Sequence, residues 1–501
     1  MSRDALQQSI QTLKVKRDNL VKELEAVELD LRNQQAAYSS LLNEESLIYR
    51  LPAEIITSVF LICQHWRTVS RPSSRRRTAS VWFPIIASHV SRKWRQLALG
   101  TPLLWNVIDL PVYLPPDIHD QHIMDRVRAH LERSGECFLD ITLEFRSGAG
   151  TKPTRLLELL KDNSNRWRRL SVVTPIDFVA DFRVMLQDAN APSLEHLSLH
   201  FGKPQEPTLS PRKRLENVTA SILQIHSSPL TFVRLAGLAL GNLHPPMAGV
   251  TTLHLDGWTR HYGSYGQFRA ILEAASSLVN LSLNELCIHH PRDPLAIIQP
   301  TSLPYLQSLR IRGSSTPVSF LLSLLDTRKL RHLSLHNIDS FSSGILATVE
   351  TLQLDSCALN EQDIAHLIQS LPAIFHLTVD EAMPDIFFML LPDWTDGDTA
   401  AVNASLGKPL PWPNLRTLAL RELQPSDVPL LFQMISLRQE YSKLGCGCSL
   451  GKVTLDRRSR TVLRTKQRLM TLQEQIKVEN VDDPEAWPPG LGYNDVHDLL
   501  E

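Results

Sequence analysis

One pattern recurs along most of this chain and limits what it can become: apolar-x-x-apolar-x-apolar, present twelve times between Phe138 and Leu455. Its first occurrences are Phe138/Ile141/Leu143, Trp167/Leu170/Val172, Leu194/Leu197/Leu199, Leu230/Val233/Leu235, Val250/Leu253/Leu255 and Leu278/Leu281/Leu283. It continues as Leu306/Leu309/Ile311, Leu330/Leu333/Leu335, Val349/Leu352/Leu354, Ile374/Leu377/Val379, Leu415/Leu418/Leu420 and Leu450/Val453/Leu455. Most starts follow the previous one by about 20–29 residues, a period at which each unit supplies one strand and a return segment. The last two apolar positions of each triplet are two apart, so in a strand they share a face. A lone unit cannot bury that face, whereas stacked units bury it against one another and let the chain grow in one dimension. A chain of 501 residues is too long for one compact core, and stacking removes that difficulty.

Several return segments carry helical spacing, among them Gln267 to Ala275, Phe320 to Leu325 and Glu361 to Leu371. Leu103 to Leu110 reads as a strand ahead of the array, and Ile123 to Leu131 as a helix. After Leu455 a run of arginines and lysines from Arg457 to Arg468 predicts a basic capping helix reaching about Glu479. The stretch from Asp482 to Glu501, with Pro484, Pro488 and Pro489, reads as a mobile acidic tail. The Pro-rich stretch Gly202 to Arg214 and the stretch Leu391 to Pro413 read as surface loops.

The N-terminal 45 residues follow a different rhythm. Leu6, Ile10, Leu13, Leu20, Leu24, Val27, Leu31, Tyr38 and Leu41, with Arg17 and Gln34 filling the gaps, alternate steps of four and three over five heptads. That is a coiled-coil seam with Ile10, Arg17, Leu24, Leu31 and Tyr38 at one of its two core positions. Glu23 and Glu28 flank the seam so that a parallel self-pair would oppose like charges. An antiparallel dimer, another partner, or docking on the chain's own body all satisfy the seam.

Between these regions, Leu51-Pro52-Ala53-Glu54 starts a helix, with proline suited to the first turn and Ile55, Ile56, Val59, Phe60 and Cys63 at helical spacing. A second stripe runs Ile86, Val90, Trp94, Leu97 and stops at Gly100-Thr101-Pro102. Two short amphipathic helices cannot seal a core on both sides, which leaves apolar surface for a partner.

The combination Leu51-Pro52-x-Glu54-Ile55, Val90-Ser-Arg-x-Trp94-Arg and Thr101-Pro102-x-Leu104-Trp105 resembles the F-box of fungal, basidiomycete-type proteins, over roughly 55 residues. The resemblance implies that Leu51, Pro52, Ile55, Ile56, Phe60, Val90, Trp94 and Leu97 grip a Skp-family adaptor and, through it, a cullin. The connecting loop departs from the pattern in being long and basic, with Arg75-Arg76-Arg77. The array downstream resembles irregular leucine-rich repeats. It lacks the asparagine or cysteine usually found three positions after the last Leu, Cys357 being the exception.

The expected fold class is therefore α/β: an N-terminal coiled-coil helix (1–45) and a small helical F-box-like domain (46–110, basic insertion 67–80). A curved leucine-rich-repeat-like solenoid follows with its strands on the concave face (111–460), then a basic capping helix and acidic tail (461–501). Alternation along each strand points the residues between the leucines to the opposite face. The candidates for binding a protein target on that face are His196, His254, Asp256, Arg310, Arg312, His332, His336, Asp355, His376 and Asp380. Positive charge at Arg310 and Arg312 precedes negative charge at Asp355 and Asp380, which suits a partner segment of mixed charge.

The implied function is that of a substrate receptor in a cullin ubiquitin ligase; a scaffold using only the coiled coil and repeats is the alternative. No enzyme activity, cofactor or metal is expected. Gly-x-Ser-x-Gly, His-Glu-x-x-His and the phosphate-cradling glycine motifs are missing, and Cys446-Gly-Cys448 lacks a second ligand pair at zinc spacing. Net charge is −1, from 52 Lys and Arg against 53 Asp and Glu, so nucleic acid is disfavoured as a partner. Six scattered cysteines fit a reducing cytoplasmic or nuclear compartment, and no run is long enough to span a membrane. Self-association through residues 6–41 is the remaining partner expectation.

Overall fold

The computed structural model describes residues 3–69, 83–112, 119–145, 154–175, 178–202, 220–224, 229–257, 263–286, 288–289, 299–313, 316–380, 386–387, 390–391, 410–465, 468–480 and 487. The arginine-rich loop 75–77, most of the stretches 202–214 and 391–413, and the tail beyond Trp487 lie outside them. The chain divides into two units. One comprises the residues up to Asp109 with Val127–Cys137, and the other comprises Leu110–Arg126 and the chain from Phe138 to Asp498. The second half of the helix His119–Arg133 belongs to the first unit. Trp105 draws it there: His130 meets the indole edge-on at 5.2 Å and Arg133 lies over the ring at 4.4 Å.

In the first unit, α1 spans Arg3–Glu45, α2 Ala53–Val69, α3 Phe83–Val90 and α4 Arg92–Leu99. The stripe Ile86/Val90/Trp94/Leu97 suggested one continuous helix, yet the chain breaks at Ser91. That residue is extended (φ −161°, ψ 169°) and its hydroxyl accepts from the Trp94 N–H, capping α4. Ile56, Phe60, Ala87, Ala98, Leu104 and Trp105 make the core, with Trp94 and Leu97 packed against it. Phe60 meets Trp94 edge-on at 4.8 Å and Phe83 at 5.9 Å. The Trp105 indole N–H donates to the Ala98 carbonyl at 2.8 Å, which ties the Thr-Pro-x-Leu-Trp turn to the end of α4.

In the second unit, each of the twelve triplets forms a strand. Among the described residues the main sheet has fourteen strands, hydrogen-bonded in the order of the chain. They are β1 Val107–Val112, β2 Leu139–Phe145, β3 Trp167–Thr174, β4 His196–Phe201, β5 Phe232–Gly237, β6 Thr252–Asp256 and β7 Asn280–Asn284. The rest are β8 Ser308–Arg312, β9 His332–His336, β10 Thr351–Asp355, β11 His376–Asp380, β12 Thr417–Leu420, β13 Lys452–Leu455 and β14 Lys477–Asn480. From β2 onward every pairing is parallel.

Register explains why the pattern recurs. Leu253, Leu281, Leu309, Leu333, Leu352, Leu377 and Leu418 stand side by side across successive strands, and Leu255, Leu283, Ile311, Leu335, Leu354, Val379 and Leu420 form a second row. Nearly all are 0–1% exposed. Each fully buried Leu contributes on the order of 2 kcal/mol before ordering costs, so sliding one strand by a residue would expose its whole apolar set. The first residue of the triplet is buried too, except Phe138, which is 51% exposed.

A second repeated device sits just after the strands. Gly202, Gly257, Glu285, Gly313, Asn337 and Ser356 all adopt positive φ. The N–H of each from Gly257 to Ser356 donates to a carbonyl at the end of the next strand, as Gly313 does to His336 at 2.8 Å. The turn requires the left-handed region, which glycine enters without the Cβ penalty at 202, 257 and 313 and which Glu285, Asn337 and Ser356 enter at a cost.

Return helices Tyr265–Ala274, Val318–Ser323 and Glu361–Ser370 lie close to the expected segments. The end of the chain differs from expectation. The basic run does not form one helix to about Glu479: Arg457–Thr465 and Leu469–Gln475 are separate helices, and β14 follows them. Val478 pairs beside Val453 and Asn480 beside Leu455, so the sheet claims this segment. Among the described residues no helix is long and apolar enough to cross a membrane.

Candidate functional site

Two surfaces follow from these units. On α2, two neighbouring apolar faces, about 100° apart around the helix, are buried differently. Ile56 and Phe60 point into the core at 2% and 1% exposure, and Gln64 beside them donates to the Leu104 carbonyl at 3.1 Å. Ile55, Val59 and Ile62, at the i, i+4, i+7 spacing of one face, are 49%, 45% and 61% exposed. Ile86 and Val90 on α3 are likewise uncovered at 53% and 52%, and Leu51 at 40%. The eight residues expected to grip an adaptor therefore separate. Leu51, Pro52, Ile55 and Val90 are exposed. Ile56 and Phe60 are core residues, and Trp94 and Leu97, half-buried, pack beside them. Lys93 anchors the entry turn, its ammonium donating to the Tyr49 carbonyl at 2.7 Å.

The second surface is the sheet face opposite the leucines. Its middle row runs Ser198, Arg234, His254, Ser282, Arg310, Ser334, Gln353 and Thr378, neighbour to neighbour across the strands. Alternation puts the expected target-binding residues on this face, but several are far less exposed than a solvated face would be. His254 is 0% exposed, Asp256 6%, Arg310 5% and His336 8%, whereas His196, Arg312, His332, Asp355 and Asp380 are half-buried and His376 is exposed.

Neighbours account for much of this. Arg234 and Asp256 form a buried ion pair. Arg310 donates through Nε to the Ser282 hydroxyl at 2.9 Å, and its Nη2 lies 3.5 Å from His254 Nδ1. His196 stacks on Phe232 at 4.0 Å with nearly parallel rings, and Phe232 packs on His254 at 4.9 Å. Trp487, itself buried, meets His254 edge-on at 5.4 Å and lies under the Arg310 guanidinium at 4.6 Å.

The expected contrast of cations followed by anions is altered as well. Each carboxylate is committed within the chain: Asp256 to Arg234, Asp355 to His336 at 2.7 Å, and Asp380 to Arg421 at 2.9 Å. At the centre Phe232, His254, Arg310 and Trp487 pack together. Arg234 and Phe232 were within reach of the alternation rule, since they flank Val233 in its triplet. Trp487 had no such signal; it is an isolated aromatic among prolines and acidic residues.

Ser334, His336 and Asp355 make a relay: Ser334 Oγ lies 2.7 Å from His336 Nε2, and His336 Nδ1 2.7 Å from Asp355 Oδ2. Burial pulls the His336 ring below its ordinary pKa and keeps it neutral, against the Asp355 carboxylate that favours protonation. For Asp355, burial pushes upward, but the His336 hydrogen bond and further partners hold it below the usual carboxylate range. A relay of this order is what a nucleophilic serine needs. Ser334, however, is mid-strand in a parallel sheet, where backbone N–H groups are spent on neighbouring strands and cannot form an oxyanion pocket. The relay orients Asp355 and fills the face with satisfied hydrogen bonds.

Among the described residues no three His, Cys, Asp or Glu side chains converge as a metal site. The chain matches no family model, and no curated protein matches it.

Proposed function

We propose that this chain is the substrate-recognition subunit of a cullin ubiquitin ligase of the SCF type. Its first unit is an F-box-like domain that binds a Skp-family adaptor, and its second unit is an irregular leucine-rich-repeat solenoid that holds a protein target. The observation that carries the first half is the division of α2 into a buried stripe (Ile56, Phe60) and an apolar stripe left in solvent (Ile55, Val59, Ile62). Isolated exposed apolar residues need no explanation, but Leu51, Ile55, Val59, Ile62, Ile86 and Val90 on so small a bundle favour a partner. The uniform register of strands in the second unit supports the solenoid reading, since each strand buries its leucines only against its neighbours.

In this role the chain performs no bond chemistry. It raises the effective concentration of target lysines near a ubiquitin-conjugating enzyme held elsewhere in the assembly. A cytoplasmic or nuclear location belongs to that role. The test is co-purification: the full chain, co-expressed with a Skp-family adaptor and a cullin, carries both through two columns. Recovery of the chain without the adaptor rejects the proposal.

A second reading, a scaffold that recruits no ligase, is favoured by α1, whose seam from Leu6 to Leu41 lies entirely in solvent. Under that reading the chain assembles through α1 and the adaptor is absent from the purified complex.

A further inference from the structure

The tryptophan that caps the polar face comes from beyond the end of the sheet. β14 ends at Asn480, yet Trp487 seats against His254 on β6 and Arg310 on β8. It is 5% exposed. The aromatic row His196–Phe232–His254 forms one side of its seat, and the Arg310 guanidinium supplies a cation–π contact. The Trp487 indole N–H is buried without an acceptor among the described residues, so the internal occupant leaves one polar group unserved. Immediately before it the sequence reads Asp482-Asp483-Pro484-Glu485-Ala486, three carboxylates in five residues. The face they precede has its own carboxylates already committed to Arg234, His336 and Arg421.

We propose that Trp487 is a built-in occupant of the target seat, and that the target presents the same chemistry: an acidic segment carrying a tryptophan. This rests on the reading of the polar face as the target-binding surface. The tail then sets a threshold, because a target must displace a segment tethered to its own seat. With an effective concentration of about 1 mM for a short tether, a free segment of ~100 μM affinity is outcompeted roughly tenfold.

The probe is a labelled peptide of residues 480–490, titrated by fluorescence anisotropy into the full-length chain. Trp487→Ala is expected to bind it, and the wild-type chain at least tenfold more weakly. A peptide with Trp487 replaced by alanine, or with Asp482, Asp483 and Glu485 as their amides, loses binding to the same Trp487→Ala chain without touching the protein's fold. Adding Arg310→Gln to that chain also weakens the peptide. If the peptide binds neither chain, or binds both equally, the proposal is overturned. Adaptor co-purification is measured on the same samples: its loss with peptide binding intact rejects the ligase reading alone, and the reverse rejects the tail alone.

A separate observation concerns α1. Leu6, Ile10, Leu13, Leu20, Leu24, Val27, Leu31, Tyr38 and Leu41 are 48–65% exposed along a single helix. Its charge is segregated: five of the seven charged residues in Arg3–Lys22 are cationic, and six of the seven in Glu23–Glu45 are anionic. The geometry points to an antiparallel two-stranded coiled coil with a second copy of the chain. Setting Leu24 opposite Val27 of the copy brings Ile10 onto Leu41, Tyr38 onto Leu13, and polar Arg17 onto polar Gln34, while each cationic half meets an anionic half. A parallel pair would align like halves and oppose Glu23 to Glu28. Mixing full-length Ile10→Cys and Leu41→Cys chains under mild oxidation should give a 10–41 cross-linked dimer by peptide mapping. A 10–10 cross-link from Ile10→Cys alone, or a monomer of the wild-type chain by sedimentation at 50 μM, overturns this.

Discussion

Asp256→Ala removes one half of the charge pair buried in the polar face. Arg234 on β5 and Asp256 on β6 pair directly, and their side chains are only 5% and 8% exposed. Deleting the carboxylate leaves a guanidinium that cannot shed its proton in a place water barely reaches. Breaking a buried pair from one side costs about 3–5 kcal/mol, because the surviving ion keeps its desolvation cost and loses its partner. Replacing both, Arg234→Met with Asp256→Leu, removes cost and attraction together and should leave stability within ~1 kcal/mol of wild type or above it. Strands coupled mainly to their neighbours need not unfold in one step, so a single melting temperature would blur the effect. Hydrogen exchange at the amides of β5 and β6 resolves it. At 1.4 kcal/mol per tenfold, the single variant should exchange there about two to three and a half orders of magnitude faster than wild type, and the double variant should return to near wild-type protection. Unchanged protection in Asp256→Ala, or equal damage in the double variant, would refute the reasoning.

Further outcomes follow from other positions. Phe60→Ala should destabilise the first unit by about 3–5 kcal/mol, as a 1% exposed core ring is lost, whereas Ile55→Ser should stay within ~0.5 kcal/mol; thermal unfolding of the two full-length variants separates them. Since His336 is held below its ordinary pKa by burial, the unfolded chain takes up a proton first as pH falls through about 6.5, and Asp355, also depressed, does the same near pH 4. Stability should therefore fall on acidification, and His336→Asn should flatten the slope between pH 7 and 5; an unaltered slope contradicts the assignment. A fluorophosphonate probe should leave Ser334 unmodified, and labelling there by mass spectrometry would make the relay a nucleophilic site. Arg438, 0% exposed, donates to the Pro411 and Trp412 carbonyls at 2.6 and 3.1 Å, and burial pulls it to about 10. Arg438→Met should strand the Pro411 carbonyl, at about 1–3 kcal/mol, while the Trp412 carbonyl keeps its bond from the Leu415 N–H; the loss is seen as faster exchange across β12.

The strands were legible in the sequence because the apolar triplet has the period of a strand and repeats in one register; Leu253, Leu281 and Leu309 are neighbours for the reason they look alike. The positive-φ residues that follow six of the strands were not legible, since Glu285, Asn337 and Ser356 carry no common side-chain signature. β14 was hidden by the basic run ahead of it, although Val478 continues the apolar row. On α2 the helical period identified the apolar residues but could not tell which of Ile55 and Ile56 faces inward, because both neighbouring faces are apolar. That choice is made by Trp94, Phe83 and Trp105, which close over Phe60 from later in the chain. Alternation assigns the residues between the leucines to one sheet face, while the burial of that face depends on cross-strand pairs and on Trp487, contacts distant in sequence that no local pattern encodes.

The claim that the uncovered stripe of α2 and α3 receives a Skp-family adaptor is tested most directly by calorimetric titration of the purified adaptor into the full-length chain. The account predicts saturable binding to wild type and at least a hundredfold loss in Ile55→Asp and Val90→Asp, both with wild-type thermal unfolding. Absence of binding to wild type, or equal binding to all three chains, would contradict it.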